Sequence, residues 1–127
     1  MIGVMLHGRL LAESLRVGVE ITLPGLAVTS FGRQDVSGSV SATQPKIWTF
    51  LDFEAPEDRA DELAAVLADA LLPDDGWYAD FTVAGDHVVV FAGRVFRYRL
   101  GDAAGRAEAV AYGLSAGTPE HQLDWGD

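Results

Sequence analysis

The chain of 127 residues contains no cysteine. That removes disulfide frameworks, thiolate catalysis, redox chemistry and cysteine-based zinc sites together, and it agrees with a reducing compartment. Positive charge is scarce as well. Nine bases stand against 19 acids, a net charge of −10, and Lys46 is the only lysine beside eight arginines. We read the arginine bias as the mark of a GC-rich genome. Binding to phosphate backbones needs a basic face that releases counterions, so the acid surplus argues against a nucleic-acid partner, and an anionic membrane surface is disfavoured for the same reason. Long apolar runs are missing too. The N-terminal stretch MIGVMLHGRLLAESL has no base ahead of its apolar residues and is broken by Gly8 and Arg9. It is therefore expected to be neither a signal peptide nor a membrane span, and the expected location is cytoplasmic.

What is present is an ordinary globular composition, 49% hydrophobic and 22% charged. A chain of this size buries roughly 65% of its unfolded surface. Residues 1–127 are thus expected to form a single α+β domain with its own core.

The clearest pattern runs from Pro56 to Leu72, where Ala60, Leu63, Val66, Leu67, Ala70 and Leu71 form one apolar stripe at helical spacing. Pro56 suits a first helical position, the acids at 57, 58, 61 and 62 suit the positive end of the macrodipole, and Pro73 ends the helix. The segment 46–54, KIWTFLDFE, reads as a strand with two apolar faces. Asp74-Asp75-Gly76 turns the chain into an alternating strand, 77–84. Gly85-Asp86 makes a hairpin turn into 87–91, and Ala92-Gly93 gives a weaker turn before 94–100, which is either a further strand or a continuation. Asp102 caps a helix from Ala103 to Ala116, stopped by Gly117, with Ala103, Ala107, Val110 and Leu114 expected inside. Thr118-Pro119 starts a single turn before the tail residues Leu123 and Trp125. Earlier in the chain, Leu6, Leu10, Leu11, Ser14 and Leu15 fit a helix ending near Gly18, residues 26–33 fit a strand, and 35–44 fits a hairpin loop.

These elements assemble into a four- to five-stranded, mainly antiparallel sheet with a split βαβ core and helices on one face. A right-handed crossover makes the 46–54 and 77–84 strands parallel, with the 87–91 strand expected between them. The topology is analogous to a permuted ferredoxin-like sandwich, and such folds host unrelated functions.

No catalytic motif stands out. His7, His87 and His121 have no metal-ligand spacing, the serines lie in no nucleophile elbow, and Asp74-Asp75-Gly76 lacks the further ligands of a calcium loop. Residues 101–106, GDAAGR, lack the glycine pattern of a phosphate loop, and Asp102 would repel an anion there. The acid run between Asp52 and Glu62 is explained by a strand end and a helix start. His87, after Asp86 and near Tyr78 and Tyr98 on neighbouring strands, is the one acid–base candidate, against the plainer reading of a structural histidine. The arginines at 94, 97 and 99 either clamp an anionic ligand or balance nearby acids at a sheet edge.

Trp48, Phe50 and Tyr78 are the feature folding explains least, because they should point away from the first helix. Something must cover them: the chain's own termini, a second copy, or a ligand. Two functions follow. The first is a non-catalytic protein-binding module, a homodimer or an acidic immunity- or antitoxin-like protein steered to a basic partner. The alternative is a small-molecule binder or small enzyme with a cleft near His87, Tyr78, Tyr98, Arg97 and Asp80. The binding residues expected are Trp48, Phe50, Tyr78, His87, Arg97 and Tyr98, with no metal and no cofactor.

Overall fold

Period-two alternation governs more of this chain than its leucine spacing suggests. The computed structural model describes residues 4–125; Met1 to Gly3, at the head of the N-terminal stretch read above, and Gly126 and Asp127 lie outside them. The strands are β1 (Met5–Leu11), β2 (Ala27–Asp35), β3 (Ile47–Pro56), β4 (Tyr78–Val83), β5 (Asp86–Phe91) and β6 (Arg94–Arg99), and the helices are α1 (Ala60–Ala70) and α2 (Ala103–Ala116). The strands form one sheet in the order β2-β3-β1-β4-β5-β6, antiparallel throughout. The α+β class holds, with six strands in place of four or five.

The largest correction concerns the N-terminal segment, which is a strand followed by a 3-10 turn at Ala12–Ser14 and not a helix. Leu6 and Leu10 are buried on one face, while His7, Arg9 and Leu11 point to the other. Gly8 occupies the apolar position between the two leucines, and that missing side chain hides the alternation. A Cβ there would lie 2.5 Å from Phe81 Cβ and 2.6 Å from Phe53 Cζ. β1 pairs with β3 on one side and β4 on the other. The split βαβ unit β3-α1-β4 is therefore real, but β1 fills its gap and the 87–91 strand sits outside it.

α1 starts four residues later than Pro56 because that proline still belongs to β3, opposite Met5. A 3-10 turn, Glu57–Arg59, leads into the helix. Ala60, Leu63, Ala64, Leu67 and Ala70 form its buried stripe against Leu6, Phe53, Phe81, Val88 and Val90. Val66 and Asp69 are turned away from the core.

α2 begins and ends as its sequence signals require. Asp102 accepts a hydrogen bond from the Gly105 amide at 3.2 Å, and Gly117 takes φ 101°. Its sheet-facing side, however, is Gly105, Ala109 and Gly113, the last two buried, while Ala103, Ala107 and Leu114 are exposed and Val110 is half-buried. A Cβ at 105 would lie 2.5 Å from Tyr98 Cβ, so the helix backbone rides directly on β6. This packing puts α2 on the face opposite α1, which corrects the expectation of helices on one face. The cause lies in β4 and β5, where Phe81, Val88 and Val90 face α1 while Tyr78, Val89 and Phe91 face α2. Two apolar faces need two covers. Among the described residues no helix is long and apolar enough to cross a membrane.

Leu67 is fully buried and Asp69 exposed. Leu67→Ala should therefore cost about 2–5 kcal/mol through the cavity it leaves, and Asp69→Ala well under that, in denaturant melts. Equal losses would contradict the assigned helix face.

Candidate functional site

α2 covers only the β5–β6 end of the second face. Over β3, β1 and β4 that face lies open beneath the chain's last residues. A turn at Glu120–Gln122 carries the tail across, and it is tied at several points. The Thr118 hydroxyl donates to Gly76 O at 2.7 Å, Tyr78 Oη donates to Gln122 O, and both Arg106 Nε and an Arg106 terminal nitrogen donate to Trp125 O at 3.2 and 3.0 Å. Gln122 Nε2 reaches Gln44 Oε1 at 2.9 Å and Ser39 O at 2.7 Å, so the β2–β3 loop and the tail close on each other. Gln44, buried in that loop, makes the junction firm.

Between the loop, the tail and the sheet lies a cleft of about 510 Å³. Trp48, Phe50, Tyr78 and Trp125 supply aromatic walls, and Arg9 and Asp80 supply charge on the sheet floor. Trp48 packs edge-on against Trp77 at 5.4 Å, and Tyr78 against Trp125 at 5.4 Å.

Asp80 is the visible end of a buried chain of hydrogen bonds. Its Oδ2 lies 2.8 Å from His87 Nε2, and His87 Nδ1 lies 2.6 Å from Tyr98 Oη. A carboxylate only accepts, so Nε2 carries the proton given to Asp80; in the neutral ring Nδ1 then accepts from the Tyr98 hydroxyl. The histidine is 4% exposed and lies under Trp125, ring centroids 5.5 Å apart. It supports the cleft from behind and does not line it.

Arg9 stands opposite both Asp52 on β3 and Asp80 on β4. Its Nε donates to Asp52 Oδ1 at 2.7 Å and a terminal nitrogen to Oδ2 at 3.4 Å, while the guanidinium lies 5.2 Å from the Phe50 ring centroid. The hydrogen bond to Asp52 is the main reason the guanidinium holds its proton more tightly than usual; it likewise pulls the Asp52 carboxyl below its ordinary value. Tyr78 moves the other way. Burial first, then the charges of Asp80 and Asp124, push its hydroxyl well above the usual tyrosine range. The Trp125 indole N–H is buried without a hydrogen bond of good geometry, although it leans on Tyr78 enough to offset a little of that rise.

The expected residues thus divide into three groups. Trp48, Phe50 and Tyr78 line the cleft; His87 and Tyr98 lie behind Asp80; Arg97 is elsewhere. Arg97 is on the α1 face, with Nε 2.8 Å from Asp86 Oδ2 and a terminal nitrogen 3.6 Å from Asp61 Oδ1, and Arg99 shares Asp86 at 3.4 Å. Arg97 and Arg99 therefore balance neighbouring acids, while Arg94 lies over the Phe96 and Tyr112 rings, 4.8 and 5.2 Å from their centroids. Arg9, His121, Gln122 and Asp124 were missed. Arg9 was legible in the alternation of His7 and Arg9 with Leu6 and Leu10; the tail residues carry no pattern that marks them. Among the described residues no group of histidines and acids is arranged to hold a metal ion. No protein-family model, curated protein or solved structure matches the chain.

Two outcomes follow. Arg97→Gln should change stability by about 1 kcal/mol or less, and added salt should shrink the difference, because its ion pairs are solvent-exposed. Saturable stabilisation of the wild type by phosphate or sulfate, lost in the variant, would contradict this. Tyr78 ionises more readily unfolded than folded, so its contribution to stability is complete below about pH 10 and is lost as pH rises above that. Between pH 9 and 11 the wild type should lose more stability than Tyr78→Phe in paired melts; parallel losses would show that the hydroxyl is not held in its neutral form.

Proposed function

We propose that the protein is a non-catalytic binding protein whose cleft on the second sheet face takes a single small organic molecule. The observation that carries this reading is the cleft itself. Its volume of about 510 Å³ lies within the range of small-molecule sites, and its makeup is that of such sites, aromatic walls around a few fixed polar groups. Asp80 is fixed because His87 and Tyr98 hold it from behind, and an orienting group that cannot turn is what a ligand site needs. The tail strap also argues for this reading over a flat protein interface, because it encloses the aromatic residues from the side a partner would approach.

A second reading, association with another copy or with a basic protein, is favoured by β2. This edge strand is exposed along its whole length, with Val28 55% and Phe31 77% exposed. A register shift between Val28 and Ser30 interrupts the edge and restricts pairing to the part beyond it. The acid surplus would steer a basic partner toward the protein at low salt. Within the α+β class, the permuted ferredoxin-like description applies to the β3-α1-β4 unit alone.

A fragment screen followed through backbone amide shifts tests the main reading. Hits should move Arg9, Leu11, Trp48 and Tyr78 together, and Leu11→Trp, which fills the cleft from its floor, should abolish those shifts. Hits confined to the apolar pocket of about 180 Å³ between α1 and the segment before β2, or hits indifferent to Leu11→Trp, would contradict it.

A further inference from the structure

We propose that the cleft selects an organic cation, a protonated amine or guanidinium on an apolar body, with its N–H group set on the Asp80 carboxylate. The inference rests on the reading of the cleft as a ligand site and specifies what the site takes.

Charge is the first argument. Among the described residues Arg9 is the only arginine or lysine lining the cleft, against Asp80 and Asp124. Arg9 hydrogen-bonds both oxygens of Asp52 and meets Asp80 only through its field, so Asp80 and Asp124 outnumber the arginine that faces them. An anionic ligand would have to displace Asp52 from Arg9 and still face both of the others. Tyr78 senses the same field, since Asp80 and Asp124 both hold its proton in place.

Position is the second. Asp80 Oδ2 is used by His87, and no described donor reaches Oδ1; the side chain is 31% exposed and lines the cleft. The histidine behind it is pinned by Tyr98 and roofed by Trp125, so the carboxylate stays aimed without help from the ligand. Hydrogen bonds from a charged donor to such a group are the strong kind.

The third argument comes from the walls. Phe50 is taken, since it carries the Arg9 guanidinium 5.2 Å from its ring centroid. Trp48 and Tyr78 beside it offer further ring faces to the apolar body of a ligand.

The test uses three probes that share a phenyl ring and differ at the end of the side chain: phenethylamine, phenethyl alcohol and phenylacetate. Each is titrated into the full-length ¹⁵N-labelled protein at constant salt, reading the tryptophan indole N–H signals. Phenethylamine should bind about tenfold or more tighter than the alcohol, and phenylacetate more weakly than either. Asp80→Asn should bring the amine down to the level of the alcohol. Asp124→Asn, a change on the exposed tail that does not touch the sheet, should weaken the amine alone, which keeps the test decisive if the Asp80 variant fails to fold. Equal binding of all three probes would overturn cation selection and leave the cleft a ligand site. Tighter binding of phenylacetate, or an amine preference untouched by Asp124→Asn and by Asp80→Asn, would also overturn it. If none of the probes shifts the cleft signals, both this inference and the ligand-site reading fall.

Discussion

Everything on the second sheet face depends on one close approach, the seating of β1 between β3 and β4 at Gly8. Pairing on both sides leaves that position no room, since a Cβ would meet Phe53 and Phe81 well inside van der Waals contact. Only glycine lets the two aromatic rings close over the strand, 6.4 Å apart in an edge-on pair. With β1 in place, Arg9 stands between Asp52 and Asp80, and the aromatic residues of β3 and β4 become two walls of one cleft. Without it, β3 and β4 would be two unconnected edges.

The acid surplus finds a physical use in this arrangement. Arginines at the far edge of the sheet are spent on Asp86 and Asp61, and Arg9 is spent on Asp52. Asp80 is instead supported by a hydrogen-bond chain through His87 and Tyr98. That chain fixes the direction of the carboxylate. Asp80 thus has a fixed direction, and it stands beside the aromatic lining of the cleft.

How much of this was legible in the sequence follows from how far each signal reaches. α1, α2 and the strands from β3 to β5 announce themselves through short-range patterns: a helical stripe ending at Pro73, an Asp102 cap and a Gly117 stop, a Gly-containing turn at 85; the weaker turn at 93 leaves β6 either a further strand or a continuation. β1 did not, because the glycine that lets it fit also erases the middle of its alternation, and Leu6, Leu10 and Leu15 then imitate a helix. The buried face of α2 was misassigned for a related reason. Close packing selected Gly105 and Gly113, residues that score as weak helix formers, over the larger Val110 and Leu114. Trp48, Phe50 and Tyr78 were found because three aromatic residues on a face that should be polar demand a cover. The tail that provides the cover, and Asp124 within it, could only be placed by tertiary contact. Arg97 drew notice through clustering alone, and its partners lie on the opposite face.

The enclosure of the cleft by the tail is the claim on which the rest stands. Its most direct test is a set of nuclear Overhauser contacts in the ligand-free protein, between the Trp125 indole, the His87 imidazole and the Tyr78 ring. The packing distances of 5.5 and 5.4 Å between ring centroids predict strong contacts in both pairs, together with amides near Leu123 that exchange slowly. Absent contacts, with amides from 118 to 125 exchanging as an unstructured chain does, would mean that the aromatic face is open and the cleft does not exist.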